Sequence, residues 1–309
     1  MGVSNKVIHI AIAFDNNYLS QFYALCSSLA YNNQSNSLHL HAIATDVDEV
    51  NLNSLENFLG KFSINITFYR PDLSTIHSLV LSHNWTAAVY YRLLFPQIVP
   101  NHVTRLLYLD CDTLVLNDVS LLYNEDMSQF PVAAVYDNYV KSQPLLGIQE
   151  EGNYFNSGVL LIDVHRWNEQ RISQRTIQYL LDFPERIQFV DQCALNAVLI
   201  NNWKHLPYNY NCLYTYLPAP ASSRTLRDFV RDVVVLHFTL QRPWNFLCTN
   251  RLRVLYFHYL KKIPISKRNK HYVDFSWKLL PAWLNIRLQE FYFDSPTLQR
   301  FWRSLKKTE

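Results

Sequence analysis

The chain has 309 residues, of which 49% are hydrophobic and 17% charged, enough to bury one large core and too apolar for intrinsic disorder. Its net charge of +3 is divided unevenly: 14 Lys and Arg stand against 4 Asp and Glu from Arg242 onward, and 14 against 21 before it. Five cysteines without any C-x-x-C spacing exclude a disulfide framework and a cysteine zinc site, and no apolar run of about 18 residues exists to span a bilayer.

In chain order, "MGVSNKVIHIAIAF" reaches its apolar run without a preceding basic patch and reads as a first strand, Val7 to Phe14, rather than a secretion signal. Lys6 also argues against myristoylation of Gly2, and the sequons at Asn33, Asn65 and Asn84 carry no weight without secretion. Phe22, Leu25, Cys26 and Leu29 recur at helical spacing between Tyr18 and Tyr31. Leu38 to Ala44 then reads as a strand, Val47 to Leu59 as a helix closed by Gly60, and Ile64 to Tyr69 as a third strand. This alternation predicts a parallel or mostly parallel sheet with helices on both faces.

The next strand, around "RLLYLDCDTLVLND", is a continuous apolar run that ends in two carboxylates, Asp110 and Asp112. Open α/β sheets bind ligands at the C-terminal ends of their strands, where two acids separated by one residue can share a divalent cation. The same pair also fits turn-capping acids, or a haloacid-dehalogenase-type phosphatase with Asp110 as nucleophile. Thr113 directly follows Asp112, however, and the pair does not open the chain, which departs from the phosphatase pattern. Further strands are expected at Val132 to Val135, Val159 to Asp163 and Val233 to His237, with helices from Trp167 to Leu181 and Gln192 to Ile200. After Trp244 the texture changes to basic, aromatic helical segments, "RLRVLYFHYLKK" and "SPTLQRFWRSLKK", the second with Ser295 as N-cap and Pro296 in its first turn.

Six blocks occur in order: "AFDNNY", "YYRLLFP", "LLYLDCDTLV", "NYFNSGVLLIDVHRW", "VDQCALN" and "LHFTLQRPW". Together they resemble glycosyltransferase family 8, the retaining galactosyl- and glucosyltransferases of the GT-A fold, over Val7 to Trp244. The resemblance implies a Rossmann-like mixed sheet over residues 1–244, with 245–309 as a basic helical extension similar to that of bacterial lipopolysaccharide core enzymes. It implies Mn2+ (or Mg2+) on Asp110, Asp112 and His237, and UDP-galactose or UDP-glucose as donor. Asp15, Asn17 and Tyr18 would hold the uridine, Arg92 would contact donor sugar and metal-site acids, and Asp137 and Asn156 would meet sugar hydroxyls. Asp191 would bind the sugar, Gln192 would lie near the anomeric carbon opposite the leaving group, and Arg242 would meet the diphosphate.

Two departures stand out. Where the family commonly shows His-aromatic-x-Gly and then Lys-Pro-Trp, this chain has "HFTLQRPW", with Leu240 in place of the glycine, Arg242 for the lysine and one residue fewer, and where the family often reads "DQD" it has Cys193. The missing glycine favours a non-catalytic nucleotide-sugar or glycan-binding alternative. The expected reaction is transfer of a hexose to a hydroxyl of a lipid-linked core oligosaccharide, at the cytoplasmic face of the inner membrane, with the basic tail on anionic lipid and no nucleic-acid partner. With only Gln192 opposite the leaving group, the resemblance implies a front-face path rather than a covalent intermediate.

Overall fold

The computed structural model describes residues 7–79, 86–269 and 272–305. Among the described residues, nine strands form two sheets: β1 (Ile8–Asp15), β2 (Leu38–Thr45), β3 (Asn65–Tyr69), β4 (Arg105–Leu109), β5 (Thr113–Val115), β6 (Val132–Tyr136), β7 (Phe155–Asp163), β8 (Lys204–Leu206) and β9 (Val235–His237). The large sheet has the order β3-β2-β1-β4-β7-β6-β8, and β5 pairs with β9. The expectation of parallel strands holds for β1 to β4, whereas β7 runs antiparallel to both neighbours, so the sheet is mixed.

Period-two alternation explains the layers. Ile8, Ile10, Ile12 and Phe14 of β1 enter one core with Leu25 and Leu29 of the helix Leu19–Asn32. Ala11 and Ala13 enter the opposite core with Leu106, Tyr108 and Trp167. The second helix runs Glu49–Gly60, and the Asp48 side chain accepts its Asn51 N–H at 2.7 Å. From β1 the chain goes to β2 on one side and later to β4 on the other. The crevice at that reversal lies between the ends of β1 and β4, where Asp15 and Asp110 stand.

Three expected elements take a different form. β7 begins at Phe155, not Val159, so Asn156, Ser157 and Gly158 lie within a strand. The expected helix from Trp167 to Leu181 is two helices, Val164–Glu169 and Ile172–Asp182, separated by Arg171 at a left-handed φ of 50°. The corner lets the buried Trp167 indole donate to Ser173 Oγ at 2.9 Å, a bond an unbroken helix would not offer. The helix expected to start at Gln192 starts at Val190 and ends at Val198.

Beyond Trp244, the helix Arg253–Leu260 buries Tyr256, Tyr259 and Leu260 in the same core as Ile10 and Leu25. The helices Leu280–Asp294 and Pro296–Leu305 follow, and Ser295 Oγ accepts Leu298 N–H at 3.4 Å. No helix among the described residues is long and apolar enough to cross a membrane. The sequon at Asn84 and the last four residues of the tail lie outside the described residues.

This packing predicts different outcomes for two truncations. A chain ending at residue 279 keeps Leu252, Tyr256, Tyr259, Leu260 and Ile263 and should melt cooperatively, while one ending at Trp244 loses these five core side chains, each worth roughly 2–5 kcal/mol, and should not. Thermal unfolding followed by circular dichroism checks this, and equal melting of the two would contradict it.

Candidate active site

The site forms where four backbone segments converge. The Asp110 N–H donates to Gly158 O at 2.8 Å, tying the loop after β4 to β7. Thr113 of β5 pairs with His237 of β9, and Phe238 N–H donates to Asp112 O at 2.9 Å. The two-stranded sheet thus fixes His237 beside Asp112, with Nε2 at 3.0 Å from Oδ1. One ligand atom from each of Asp110, Asp112 and His237 lies within 4.8 Å of the others. Gly158 is required by this approach: a Cβ there would stand 2.2 Å from His237 Cε1 and 2.7 Å from Asp110 Oδ2.

Arg92 neutralises the acids from beneath. Its guanidinium, 4% exposed, donates to Asp110 Oδ1 at 2.9 Å and meets Asp191 Oδ2 at 3.1 Å. It also bonds Ser157 O and Ser157 Oγ, and stacks over the Tyr108 ring at 4.7 Å. Tyr108 donates its hydroxyl proton to the same Asp110 oxygen at 2.8 Å.

A second network orients the other side chains. His237 Nδ1 meets Asn211 Oδ1 at 3.0 Å, and Asn211 Nδ2 donates to Asn156 Oδ1 at 2.9 Å. Asn156 Nδ2 reaches Asp137 Oδ2 at 3.1 Å, to which Gln192 Nε2 also donates at 3.0 Å. Gln192 Oε1 accepts from Ser157 N–H at 3.0 Å, and Ser157 Oγ donates to Asp191 Oδ2 at 3.0 Å. Asp137, Asn156, Asp191 and Gln192 are therefore one connected set.

The electrostatics follow from this burial. Burial raises the Asp112 carboxyl, but His237, its hydrogen bond and Arg242 outweigh burial and hold it at about 2. Burial lowers the His237 imidazolium, but Asp112 raises it further, leaving it above its ordinary value. Burial pushes Asp191 up to about 6 despite Arg92. Two carboxylates and an imidazole suit a divalent cation, which would displace the proton between His237 and Asp112.

Two clefts, of about 620 and 790 Å3, meet at this cluster and share Arg92, Asp110, Asp112 and Arg242. Phe14, Asp15 and Tyr18 line the first, where the Tyr18 ring stands edge-on to Trp244, 6.0 Å between centroids. Asp137, Asn156, Asp191, Gln192 and His237 line the second. Of the residues expected from the sequence, Asn17 alone falls outside both linings: its side chain is exposed, and its N–H is the group that Asp15 Oδ1 caps, at 2.9 Å. Ser157, Asn211 and Tyr108 were not foreseen. Ser157 stands in the quoted "FNSG" block, whereas Asn211 lies in an irregular segment with no periodic signal.

The departure at Leu240 has a structural form. Leu240 has φ 63°, and Gln241 N–H donates to Thr239 O at 2.6 Å, closing a three-residue turn. The backbone keeps the left-handed conformation that glycine adopts freely, with an exposed leucine side chain on the second cleft instead. Val190, a β-branched residue beside Asp191, is likewise at positive φ, 32°.

A sheet with a switch-point crevice, a carboxylate and imidazole cluster able to hold a cation, and one cleft on each side of it fit the class of enzymes that bind a nucleotide-linked substrate beside a divalent ion. The model of glycosyl transferase family 8 matches residues 9–248, and the chain belongs to that family. It is 31% identical to general stress protein A of Bacillus subtilis, over 83% of this chain and 94% of that protein. It is 28% identical to a lipopolysaccharide 1,2-glucosyltransferase of Escherichia coli, over 78% of this chain and 74% of that protein. The crystal structure of galactosyltransferase LgtC in complex with donor and acceptor sugar analogs superimposes with a TM-score of 0.72 at 20% identity, covering 89% of this chain and 99% of that one. The chain is thus a glycosyltransferase of the GT-A fold, from a family that uses nucleotide-sugar donors and typically a divalent metal, and the phosphatase alternative is set aside.

Leu240→Gly should stabilise the protein by about 1 kcal/mol, because it removes the left-handed penalty of a side chain with little burial to lose. Chemical denaturation measures this, and an equal or lower midpoint would show that the leucine side chain compensates for the turn.

Proposed function

We propose that this protein transfers galactose or glucose from a UDP donor to a hydroxyl of a lipopolysaccharide or lipooligosaccharide core acceptor, with retention at the anomeric carbon. The observation that carries this reading is the cation triad at the junction of two clefts, which suits a donor whose diphosphate lies between a nucleoside and a sugar. The likeness to an Escherichia coli lipopolysaccharide glucosyltransferase supports the acceptor class.

In this reading Tyr18 stacks on the uracil and Asp15 meets the ribose side of the nucleoside, with Asn17 serving to fix the turn. Asp110, Asp112 and His237 hold the metal, for which manganese suits the mixed carboxylate and imidazole set. When bound, the ion neutralises charge growing on the departing diphosphate. Arg242, with Nε 3.7 Å from Asp112 Oδ2, adds a second positive group at the same place. Asn156, Asp137 and Asp191 take the hexose hydroxyls.

The bond from the anomeric carbon to the diphosphate oxygen breaks as the acceptor hydroxyl attacks from the same face, and its proton passes to the departing phosphate oxygen. Gln192 on the second cleft is an amide already bonded to Ser157 and Asp137, poorly suited to act as a nucleophile but able to place a dipole beside the developing positive charge.

Turnover should require a divalent cation, and Asp110→Ala or Asp112→Ala should reduce UDP release from the preferred hexose donor by at least about 100-fold. Asn156→Ala should weaken binding of the intact donor more than binding of UDP. A donor panel with and without EDTA, with calorimetry for the variants, checks both. Full activity in EDTA would overturn the metal assignment, and equal affinity losses for UDP and donor would return Asn156 to a structural role.

The extension at 245–309 is proposed to hold the enzyme against the inner face of the membrane. Leu284, Leu288 and Phe291 recur on one face of the helix Leu280–Asp294 and are 48%, 67% and 63% exposed, and Trp277 beside it is 76% exposed. Acids of this segment are paired inward, Glu290 with Arg253 and Arg287 and Asp294 with Arg251, while the wider tail keeps its cationic excess. Interfacial binding follows from apolar insertion and attraction to anionic lipid, about 1 kcal/mol per nearby Lys or Arg. Replacing Leu284, Leu288 and Phe291 together with Ser should release the protein from anionic vesicles while leaving transfer to a soluble acceptor intact. Unchanged sedimentation with the vesicles would contradict the anchor.

A further inference from the structure

A second cluster of chemistry-bearing side chains lies far from the cleft. His9 of β1 and His39 and His41 of β2 point to the same sheet face, with His9 directly paired to His39 in the parallel register. Above them this face carries Ala11, Ala13 and Ile43, which are buried, so three adjacent imidazoles stand at the edge of an apolar patch. His9 and His39 are half-buried and His41 is buried. His9 stands at the start of β1, about 20 Å along the strand from Asp15.

The geometry brings three imidazoles within reach of one ion. His9 Nδ1 and His41 Nε2 are 2.9 Å apart. This contact is a hydrogen bond between the two rings, which a shared ion would replace: two imidazole nitrogens on one tetrahedral ion at about 2.0–2.1 Å stand about 3.3 Å apart, a small adjustment from this separation. One ring nitrogen from each of the three histidines lies within 4.8 Å of the others. The His39 and His41 rings stack at 4.6 Å between centroids, and the exposed His102 ring lies 6.0 Å from that of His9.

Each of two rings is also held from behind. His41 Nδ1 bonds the Tyr69 hydroxyl at 2.8 Å, and His39 Nε2 bonds Thr67 Oγ1 at 2.8 Å, both from β3. Such partners fix the tautomer and orientation of a metal-bound imidazole. Burial first, and then repulsion by neighbouring imidazoles, lowers His9 to about 4 and His41 to about 3, so the rings are neutral near pH 7, the form that binds metal.

We propose that His9, His39 and His41 form a second metal site, selective for a borderline transition ion such as Zn2+, on the end of the sheet opposite the catalytic cleft. An all-imidazole set discriminates against Mg2+ and Mn2+, which favour the carboxylates of Asp110 and Asp112. The ion would clip β1 to β2 at their N-terminal ends, a structural role separate from sugar transfer.

The test uses the full chain stripped of metal and carrying Asp110→Ala and Asp112→Ala, so that the cleft does not compete. Titration with Zn2+ by calorimetry, and with Co2+ by visible absorption, should give one site per chain with the intense bands of a low-coordinate cobalt centre. Adding His9→Ala or His39→Ala should weaken that site more than about 100-fold, beyond the 10–100-fold expected for losing an outer partner, and Tyr69→Phe should weaken it by about 10-fold. Because His9 and His39 are half-buried, circular dichroism should report folded variants; if either unfolds, His39→Gln is read in its place. Zn2+ binding unaltered by the histidine replacements, or no binding in the parent, would overturn the proposal. In the otherwise unsubstituted chain, His39→Gln should leave hexosyl transfer unchanged, and loss of transfer by that folded variant would remove the separation from the cleft.

Discussion

The site depends on one buried cation. Arg92 lies beneath a cleft that gathers Asp110, Asp112 and Asp191, carboxylates that would repel one another in a medium of low dielectric. Burying a charge is costly unless it is paired and its protons are satisfied, and Arg92 is bonded to two carboxylates, to the Val89 carbonyl and to Ser157. Its planar fork reaches the loop after β4, the strand β7 and the helix Val190–Val198 at once, which a lysine's single point charge could not do. Arg92 and Tyr108 both occupy Oδ1 of Asp110, which leaves Oδ2 beside Gly158 on the cleft side.

Above that cation, backbone pairing sets the remaining distances. The β5–β9 ribbon brings a histidine 125 residues away in sequence to 3.0 Å from Asp112, and Asn211 holds the far side of its ring. Asn156 connects this ring to Asp137 and Gln192, so groups proposed to contact metal and sugar are parts of one hydrogen-bonded frame. A preorganised frame of this kind need not rearrange as charge develops on a leaving group. Strain collects at the rim of the same frame, at Val190 and Leu240.

Much of this was legible in the sequence because its signals are local. Alternating Ile8, Ile10, Ile12 and Phe14 mark β1, the apolar run before Asp110 marks β4, and both put their acids at the switch point. The order of six short blocks was enough to identify the family. What escaped depends on long-range closure: the reversal of β7, the two three-residue strands β5 and β8, and the roles of Ser157 and Asn211 in orienting neighbours. The helix broken at Arg171 was hidden because no Gly or Pro marks the corner, across which the buried Trp167 indole bonds Ser173. The tail looked uniform in composition, yet Arg253–Leu260 completes the central core, while Leu280–Asp294 stacks Trp283 on Phe246 and leaves Leu284, Leu288 and Phe291 outward.

The central claim is that Asp110, Asp112 and His237 together hold the cation that receives the donor's diphosphate. Electron paramagnetic resonance of Mn2+ titrated into the full chain with UDP, compared with His237→Ala and Asn211→Ala, tests it most directly. One UDP-dependent Mn2+ per chain, lost in His237→Ala and weakened about 10-fold in Asn211→Ala, is the expected result. Mn2+ and UDP that bind independently of each other, or a bound ion indifferent to His237, would contradict it.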